Sequence, residues 1–280
     1  MARINNPEAD AILDKEFPVL DRGFVRLVDY LGGDARIVQA ARVSYGPGTK
    51  TIRENKGLIN YLLKHQHTSP FEQVVMTFHL KMPIFVARQW VRHRTARMNE
   101  ISGRYSVMPE EMYVPEPEDV NIQSTDNRQG RGEAVSLEDA ELIRTQIQQA
   151  GEAARETYDN LIEKGVSREL ARTVLPLAQY TEFYWQMDLH NLFHFLKLRS
   201  TPHAQKEIRD YAVVMGRIVE KVAPLAYDAF ENHVLLAEKF SRDEMALIVQ
   251  AINSEQPESI VNGSELSKSR KSELLAKLGL

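Results

Sequence analysis

The alternation of apolar and polar residues along the chain predicts three β-strands. Residues 24–30 alternate and end at a Gly-Gly pair, and residues 74–82 are rich in β-branched and aromatic side chains. Residues 179–187 form the third such segment. The strands are separated by stretches with the 3.6-residue spacing of amphipathic helices. We therefore predict an α+β fold, in which helices pack against a mixed or antiparallel central sheet.

The helical segments carry recognisable start and stop residues. Asp34, Ser136, Ser167 and Asp188 are expected N-caps, and Ser241 with Glu244 matches a capping box. Pro83 suits a first helical position. The predicted helices are residues 34–41, 51–64, 83–94, 136–164, 168–175, 189–199, 208–231 with a break at Pro224, 245–252 and 272–278.

Two segments lack a periodic pattern. Residues 1–22 are polar and are predicted to be a loose arm, and residues 113–134 are rich in Pro, Gly and small polar residues, which predicts a long loop. No clear linker interrupts the chain. We expect one domain over residues 1–235, followed by a helical C-terminal extension over residues 236–280.

Composition narrows the possible functions. A hydrophobic content of 43%, a charged content of 26% and a net charge of −4 are typical of a globular protein and do not favour attraction to nucleic acid. No apolar run is long enough to span a membrane, and the N-terminus lacks a secretory segment, so a cytoplasmic location is expected. The absence of cysteine excludes disulfides, thiolate metal sites and cysteine nucleophiles. Any chemistry must use another nucleophile or a cofactor.

A basic cluster lies between Arg88 and Tyr105. Five arginines and one histidine fall within these eighteen residues, together with a single carboxylate, Glu100. The arginines are Arg88, Arg92, Arg94, Arg97 and Arg104. A guanidinium group can bind a phosphate with two parallel hydrogen bonds. Because Asn99, Glu100 and Ser102 add donors and acceptors, the cluster suggests a small anionic ligand with a polar ring or sugar.

Other interpretations of these residues remain open. The arginines could form the solvated face of an ordinary amphipathic helix, or the patch could bind nucleic acid, although the acidic net charge and Glu100 count against the latter. The pairs His65/His67 and His190/His194 have spacings seen in metal sites, but no catalytic glutamate or cysteine accompanies them. We expect no metal there, and polar or ligand-clamping roles fit at least as well.

Residues 92–106 read Arg-His-Arg-Thr-Ala-Arg-Met-Asn-Glu-Ile-Ser-Gly-Arg-Tyr-Ser. This stretch closely resembles the signature of the flavin-dependent thymidylate synthases, usually written RHRxxSxNExSxRY. Residues 41–44, 65–72, 83–90 and 198–205 also resemble blocks of that family, in family order. The resemblance covers about residues 20–235, and an ordered set of blocks is more specific than one motif. Two departures stand out. Arg97 replaces the usual serine, and Asp188, His190 and His194 replace the Asn, Arg and Asn of some members.

The resemblance implies reductive methylation of dUMP to dTMP. Methylenetetrahydrofolate would supply the carbon, FAD would relay the hydride, and NADPH would reduce the flavin. The family is typically a homotetramer whose flavin sites form where subunits meet. The lack of cysteine agrees, because the classical route of thiolate attack on the pyrimidine is closed to this chain. A flavoprotein oxidoreductase that keeps the nucleotide pocket but has lost methylation is the alternative within this chemistry.

The resemblance also assigns roles by position. Nucleotide binding falls to Gln89, Trp90, Val91, Arg92, Glu100, Ile101, Ser102, Gly103, Arg104, Arg172 and Arg199. Flavin contacts fall to Ser69, Arg92, His93, Arg94, Glu100, Asp188, Leu189, His190 and His194, with Ser44 and His67 as weaker candidates. Arg199 is the expected catalytic residue. Its permanent charge would favour ionisation at a uracil ring nitrogen and so polarise the ring for hydride attack.

Overall fold

The computed structural model describes residues 6–43, 52–125, 130–252, 256–266 and 268–280. The strands are β1 Glu16–Val19, β2 Gly23–Leu31, β3 Val75–Pro83, β4 Arg97–Glu100, β5 Asn121–Gln123, β6 Arg131–Ala134 and β7 Tyr180–Asp188. The helices are α1 Pro7–Asp10, α2 Asp34–Arg42, α3 Ile52–Lys64, α4 Ile84–Trp90, α5 Leu137–Glu163, α6 Arg168–Ala171, α7 Leu189–Arg199, α8 Lys206–Val222, α9 Pro224–Phe230, α10 Arg242–Ile252, α11 Pro257–Gly263 and α12 Lys268–Leu278. Short 3₁₀ turns occupy Phe71–Gln73, Pro117–Asp119 and Arg172–Val174, and a π-turn occupies Glu231–Leu235.

A five-stranded sheet in the order β1-β2-β3-β7-β4 is the centre of the fold. Every neighbouring pair of strands in it is antiparallel. The two central strands, β3 and β7, pair along their whole lengths, from Val75 opposite Asp188 to Pro83 opposite Tyr180. This arrangement confirms the predicted α+β class and fixes the sheet as antiparallel.

The two faces of the sheet differ in character. One face carries the buried side chains of Phe78, Leu80, Phe183 and Trp185, and helices α4, α7 and α8 pack against its strands. The next residues along β3 and β7 point to the opposite face, as the two-residue period of a strand requires. There His79 hydrogen-bonds with Glu182 at 3.0 Å and stacks on Tyr184 with ring centroids 4.8 Å apart. The second face is therefore polar and aromatic rather than a hydrophobic core.

Three of the predicted helix caps form the expected hydrogen bonds with the backbone. The Asp188 carboxylate accepts a hydrogen bond from the backbone N–H of Asn191 at 2.9 Å, which caps α7. Ser136 accepts one from the N–H of Asp139 at 3.1 Å and caps α5, and Gly165 follows that helix with a φ of 77°. The expected capping box is also present: the N–H of Ser241 donates to Glu244 at 2.7 Å.

The prediction that Asp34 caps α2 is wrong. Gly33 occupies the N-cap position, and the Asp34 carboxylate instead accepts hydrogen bonds from the N–H groups of Leu225 and Ala226, at 2.8 and 3.0 Å. Those residues begin α9, so Asp34 satisfies the orphan donors of a helix far away in sequence. Burial raises the pKa of the Asp34 carboxyl despite these two bonds.

The N-terminal segment is not a loose arm over its described part. Asn6 caps α1 and donates to the carbonyl oxygens of Lys221 and Val222, both at 2.9 Å, and Glu16–Val19 pairs with β2. Residues 113–134 are also more ordered than predicted, because β5 and β6 form an antiparallel hairpin. These elements are too short to show a sequence period, and contacts distant in sequence hold them.

The helix that begins after Pro83 ends earlier than predicted. It stops at Trp90 rather than near Arg94, and Pro83 is its N-cap rather than its first residue. The polar residues beyond it, predicted as loop, include the strand β4. Strand β4 pairs with β7, where Glu100 lies opposite Phe183. The basic cluster is therefore divided between a helix, a turn and an edge strand.

The chain divides into two compact units, Met1–Phe230 and Glu231–Leu280. The second unit holds α10, α11 and α12 around the buried residues Ile248, Val261 and Leu274. Its boundary differs by a few residues from the predicted start of an extension at residue 236. That this unit is an appendage to the catalytic core stays a prediction.

Candidate active site

Strand β4 places Glu100 at the edge of the sheet. The N–H of Ile101 donates to the carbonyl oxygen of Glu182 at 2.9 Å, which continues the pairing beyond the strand. The Glu100 carboxylate accepts a hydrogen bond from the hydroxyl of Thr181 at 2.6 Å. Because Thr181 is only 1% exposed, this contact fixes one oxygen of Glu100 against the sheet and leaves the other available to a ligand.

A tight turn follows Glu100. The carbonyl oxygen of Ser102 accepts hydrogen bonds from the N–H groups of Tyr105 and Ser106, and the Ser102 hydroxyl accepts one from the N–H of Arg104 at 3.3 Å. Gly103 is buried inside this turn. A Cβ atom there would lie 3.1 Å from Cδ of Arg172, so the absence of a side chain lets this arginine approach the turn.

A cavity of about 180 Å³ lies between this turn and the arginine. Its lining combines a carboxylate, a guanidinium and a hydroxyl with apolar side chains. The lining residues are Ile84, Glu100, Ile101, Gly103, Met108, Arg172, Leu175 and Thr181. Pockets for drug-sized ligands have about 300–1,000 Å³. This cavity can therefore enclose one ring or sugar of a larger anionic ligand. The structure brings together four of the predicted nucleotide residues here: Glu100, Ile101, Gly103 and Arg172.

Replacing Gly103 with alanine is expected to weaken nucleotide binding. The added methyl group would lie 2.9 Å from Sδ of Met108 and 3.1 Å from Cδ of Arg172, so both side chains must move. Displacing one charge-assisted contact should raise the dissociation constant of dUMP by roughly tenfold or more. Isothermal titration of the purified variant checks this. Gly57→Ala is the matched control, because a Cβ there meets no atom within 4 Å. Equal affinities in both variants would contradict the assignment of this cavity.

His93 and Arg199 form a second cluster. His93 lies in the turn after α4, and Arg199 is the last residue of α7. The Arg199 Nε–H donates to Nε2 of His93 at 3.1 Å, while the His93 ring meets Phe195 edge-on at 4.8 Å. Burial, the charge of Arg199 and the neighbouring His194 together lower the pKa of His93 to about 4. His93 is therefore neutral at pH 7, and it orients Arg199 while leaving the two terminal nitrogens of the guanidinium to a ligand.

The low pKa of His93 predicts a loss of stability in mild acid. The unfolded chain takes up a proton on this histidine below its ordinary pKa of 6.5, whereas the folded chain does so only near 4. Between these values the unfolded state binds more protons, so the free energy of unfolding falls as the pH falls. Because His93 is only half-buried and solvent screens part of the interaction, the total loss should be on the order of 2 kcal/mol. Urea denaturation of the wild type and of His93→Gln, from pH 7 to pH 4, measures it. A glutamine can still accept from Arg199, so only the wild type should show this component; identical pH profiles would contradict the interpretation.

The flavin candidates on α7 differ in exposure. His194 is exposed and His190 is half-buried, whereas Leu189 is fully buried. Both oxygens of Asp188 are already engaged, by the N–H and the side-chain amide of Asn191. Ser69 is exposed in the turn before the 3₁₀ segment whose Phe71 packs near Phe193 of α7. The exposed imidazole of His194 lies near neutral His93 and is accessible to a large ligand, whereas Leu189 could contact one only through its backbone.

The remaining nucleotide candidates are divided between core and surface. The Gln89 side-chain amide donates to Gln205, and the Val91 side chain is half-buried. Trp90 is fully buried among aromatic rings, so its indole is part of the core and only its backbone can approach a ligand. Arg92 and Arg104 are exposed, as is the flavin candidate Arg94. Arg104 pairs with Glu169 at 3.0 Å.

The structure says less about the two weaker flavin candidates. His67 is exposed and stacks on Tyr61, with ring centroids 5.9 Å apart. Ser44 lies outside the described residues.

Among the residues that the structure describes, no group of three or more His, Asp or Glu side chains could hold a metal ion.

Sequence reasoning missed two kinds of residue at this site. Thr181 and Met108 line the cavity, yet neither was a candidate. The strand period offered a signal for Thr181, because it is the polar member of an inward-facing series that continues with Phe183 and Trp185. Gln205 contacts Gln89 but lies far from it in sequence, and nothing in the local pattern connects the two.

The antiparallel sheet with its packed helices, the cavity lined by both Glu100 and Arg172, and the His93–Arg199 pair are the features of an α+β protein with a candidate site for a small anionic ligand. A sequence profile described as thymidylate synthase complementing protein matches residues 26–225. The chain therefore belongs to the flavin-dependent thymidylate synthase family, which confirms the resemblance of its signature. None of the helices within the described ranges is both long and apolar enough to cross a membrane.

Individual relatives agree with this membership. The flavin-dependent thymidylate synthase of Treponema denticola is 58% identical over 257 residues, covering 91% of this chain and 96% of that protein. The enzyme of the same description from Thermus thermophilus is 54% identical over 261 residues, covering 93% and 95%. The crystal structure of the UMP/dUMP methylase PolB from Streptomyces cacaoi, bound with 5-Br dUMP, has a TM-score of 0.72 and 32% identity, covering 78% of this chain and 99% of that chain.

Proposed function

We propose that this protein methylates dUMP to dTMP, with methylenetetrahydrofolate as carbon donor, FAD as hydride relay and NADPH as reductant. The cavity between Glu100, Gly103 and Arg172 is the observation that carries the proposal. It joins a carboxylate and a guanidinium to an apolar wall, as a pyrimidine nucleotide requires. The names of the relatives supply the methylation and the flavin.

The chain's own residues divide the work on the nucleotide. Arg172 and the exposed arginines of the basic cluster would bind the phosphate, since a guanidinium matches its geometry. Glu100, held by Thr181, would accept a hydrogen bond from the sugar or base. Arg199, oriented by neutral His93, would stabilise negative charge that develops on the uracil ring. Its charge is needed where the ring becomes anionic, which is why we propose it as the catalytic residue.

FAD would supply a two-electron carrier able to pass a hydride to the pyrimidine. His93, Arg94, His190 and His194 would hold it, with Ser69 and the backbone at Asp188 and Leu189. Arg94, His194 and Ser69 are exposed, and none of the flavin candidates in this set lines the 180 Å³ cavity. We therefore propose that the flavin sites are completed by another copy of the chain in a homotetramer.

A single anaerobic experiment tests the function. The FAD-loaded protein is bleached with NADPH, and dUMP with methylenetetrahydrofolate is then added while dTMP and flavin absorbance are followed. Flavin reoxidation in step with dTMP formation is the expected result. Oxidation of NADPH without dTMP would favour a flavin oxidoreductase that lacks methylation. A protein that cannot be loaded with FAD would overturn the proposal.

A further inference from the structure

A chain of hydrogen bonds leads from the predicted nucleotide site to a buried carboxylate. Gln89, at the end of α4, donates its side-chain amide to the carbonyl oxygen of Gln205. The amide of Gln205 donates to Oε2 of Glu207 at 2.8 Å, in the first turn of α8. These contacts bring together residues that are distant in sequence, and they end at a side chain that is only 1% exposed.

Glu207 is held as a carboxylate by its surroundings. Its Oε1 receives a hydrogen bond from the Tyr113 hydroxyl at 3.1 Å and an ion pair from Arg131, whose side chain is 36% exposed. Burial by itself raises the pKa of Glu207. The hydrogen bonds from Gln205 and the backbone, together with Arg131, outweigh burial and keep that pKa below its usual value. A carboxylate has no proton to donate, so Glu207 can only accept hydrogen bonds.

Because Glu207 can only accept, each hydrogen bond from Gln89 through Gln205 must be donated toward it. Gln205 must turn its NH₂ group toward Glu207, which directs its carbonyl oxygen at Gln89. Gln89 must then use its own NH₂ group on Gln205. An unrestrained glutamine amide can turn either way with little cost. We infer that Glu207 and Gln205 are positioning residues that orient the Gln89 amide, so that its Oε1 is the atom offered to the nucleotide.

The inference rests on the proposed function and refines it. In the part of the chain that the structure describes, Oε1 of Gln89 has no hydrogen-bond partner. An oxygen that can only accept would select a donor on the ligand. On binding, before Arg199 polarises the ring, the neutral deoxyuridine nucleotide carries two suitable donors, the 3′-hydroxyl and the ring N3–H. Gln89 would therefore discriminate against a nucleotide in which one of them is missing.

Glu207→Gln is the informative variant. Glutamine has the same shape as glutamate, but its NH₂ group can reverse the direction of the hydrogen bonds from Gln205 to Gln89. Arg131 and Tyr113 both donate at the Oε1 position, so the new amide should keep its oxygen there and turn its NH₂ toward Gln205. Gln205 would then flip and donate to Gln89, and Gln89 would present NH₂ to the ligand. Tyr113→Phe is the matched control. It removes one hydrogen-bond donor from the same carboxylate but keeps Gln205 and Arg131, which hold Glu207 in its charged, accepting form.

The test is isothermal titration of FAD-loaded protein with dUMP, 2′,3′-dideoxyuridine monophosphate and N3-methyl-dUMP. The wild type should bind one analogue roughly five- to tenfold more weakly than dUMP, as expected for one lost hydrogen bond. Glu207→Gln should bind dUMP that much more weakly and lose the discrimination, as should Gln89→Leu. Tyr113→Phe should keep the discrimination even if it melts at a lower temperature.

Three results would overturn the inference. They are full discrimination by Glu207→Gln, equal loss of discrimination in Tyr113→Phe, and a wild type that binds both analogues as tightly as dUMP. A wild type that binds none of the three nucleotides would instead overturn the proposed function and remove the basis of the inference with it. Failure of the inference is thus distinguishable from failure of the function.

Discussion

Replacing Arg199 with alanine is expected to lower the rate of dTMP formation by about 10²–10³-fold, the typical cost of removing one preorganised group that stabilises developing charge. Arg199 is the last residue of α7 and donates its Nε–H to His93, so its two terminal nitrogens remain available to the ligand. Burial lowers the pKa of Arg199, and a charge in partly dry surroundings acts on a ligand more strongly than one in water. Removing it should act on the rate more than on flavin retention.

Single-turnover mixing of reduced, FAD-loaded enzyme with dUMP and methylenetetrahydrofolate measures the effect, with flavin content determined from absorbance. Arg199→Lys keeps a positive charge without the planar fork and should recover only part of the rate. Arg217→Ala removes an exposed arginine from α8 and serves as the control. A normal rate in Arg199→Ala would refute its catalytic role. Loss of FAD in parallel with the rate would place Arg199 in the cofactor site instead.

Much of the fold could be predicted because its main elements carry strong local signals. Strands β2, β3 and β7 show the period or composition of strands, and Asp188 marks the start of α7 as a capping residue should. Strand β4 could not be predicted. Its four residues, Arg97–Glu100, are mostly polar and mostly exposed, and they become a strand only because β7 offers an unpaired edge. Pairing with a neighbour overrides local preference at such an edge.

The candidate site was predictable in part for a similar reason. The signature places Glu100 and Gly103 close together in sequence, and both line the cavity. That Arg172 packs against Gly103, or that Thr181 binds Glu100, depends on how separate elements meet in space. Glu207 gave no signal at all, because one acidic residue at the start of an amphipathic helix is ordinarily a solvated one. Its burial follows only from the loop that brings Arg131 and Tyr113 over it.

Trp90 lies in a segment that resembles the family, but its side chain is in the core rather than at the candidate site. Replacing it with alanine is expected to lower the free energy of unfolding by about 3–5 kcal/mol, as for other large buried aromatics. The side chain is fully buried, and its ring centroid lies 4.5 Å from Phe195, 5.4 Å from Trp185 and 6.1 Å from Tyr211. Truncation would leave a cavity where α4, α7, α8 and the sheet meet. Urea denaturation measures the change.

Trp90→Phe separates the core role from ligand contact. The buried indole N–H has no acceptor among the described residues, and a buried donor left unpaired costs about 1–3 kcal/mol. Phenylalanine removes that donor while it keeps most of the ring contacts, so the variant should lose only about 1 kcal/mol. It should also bind dUMP with unchanged affinity, because the indole faces the core and not the cavity. Weaker dUMP binding by Trp90→Phe at near-normal stability would contradict this. It would mean that the indole itself reaches the nucleotide, as the family resemblance alone suggests.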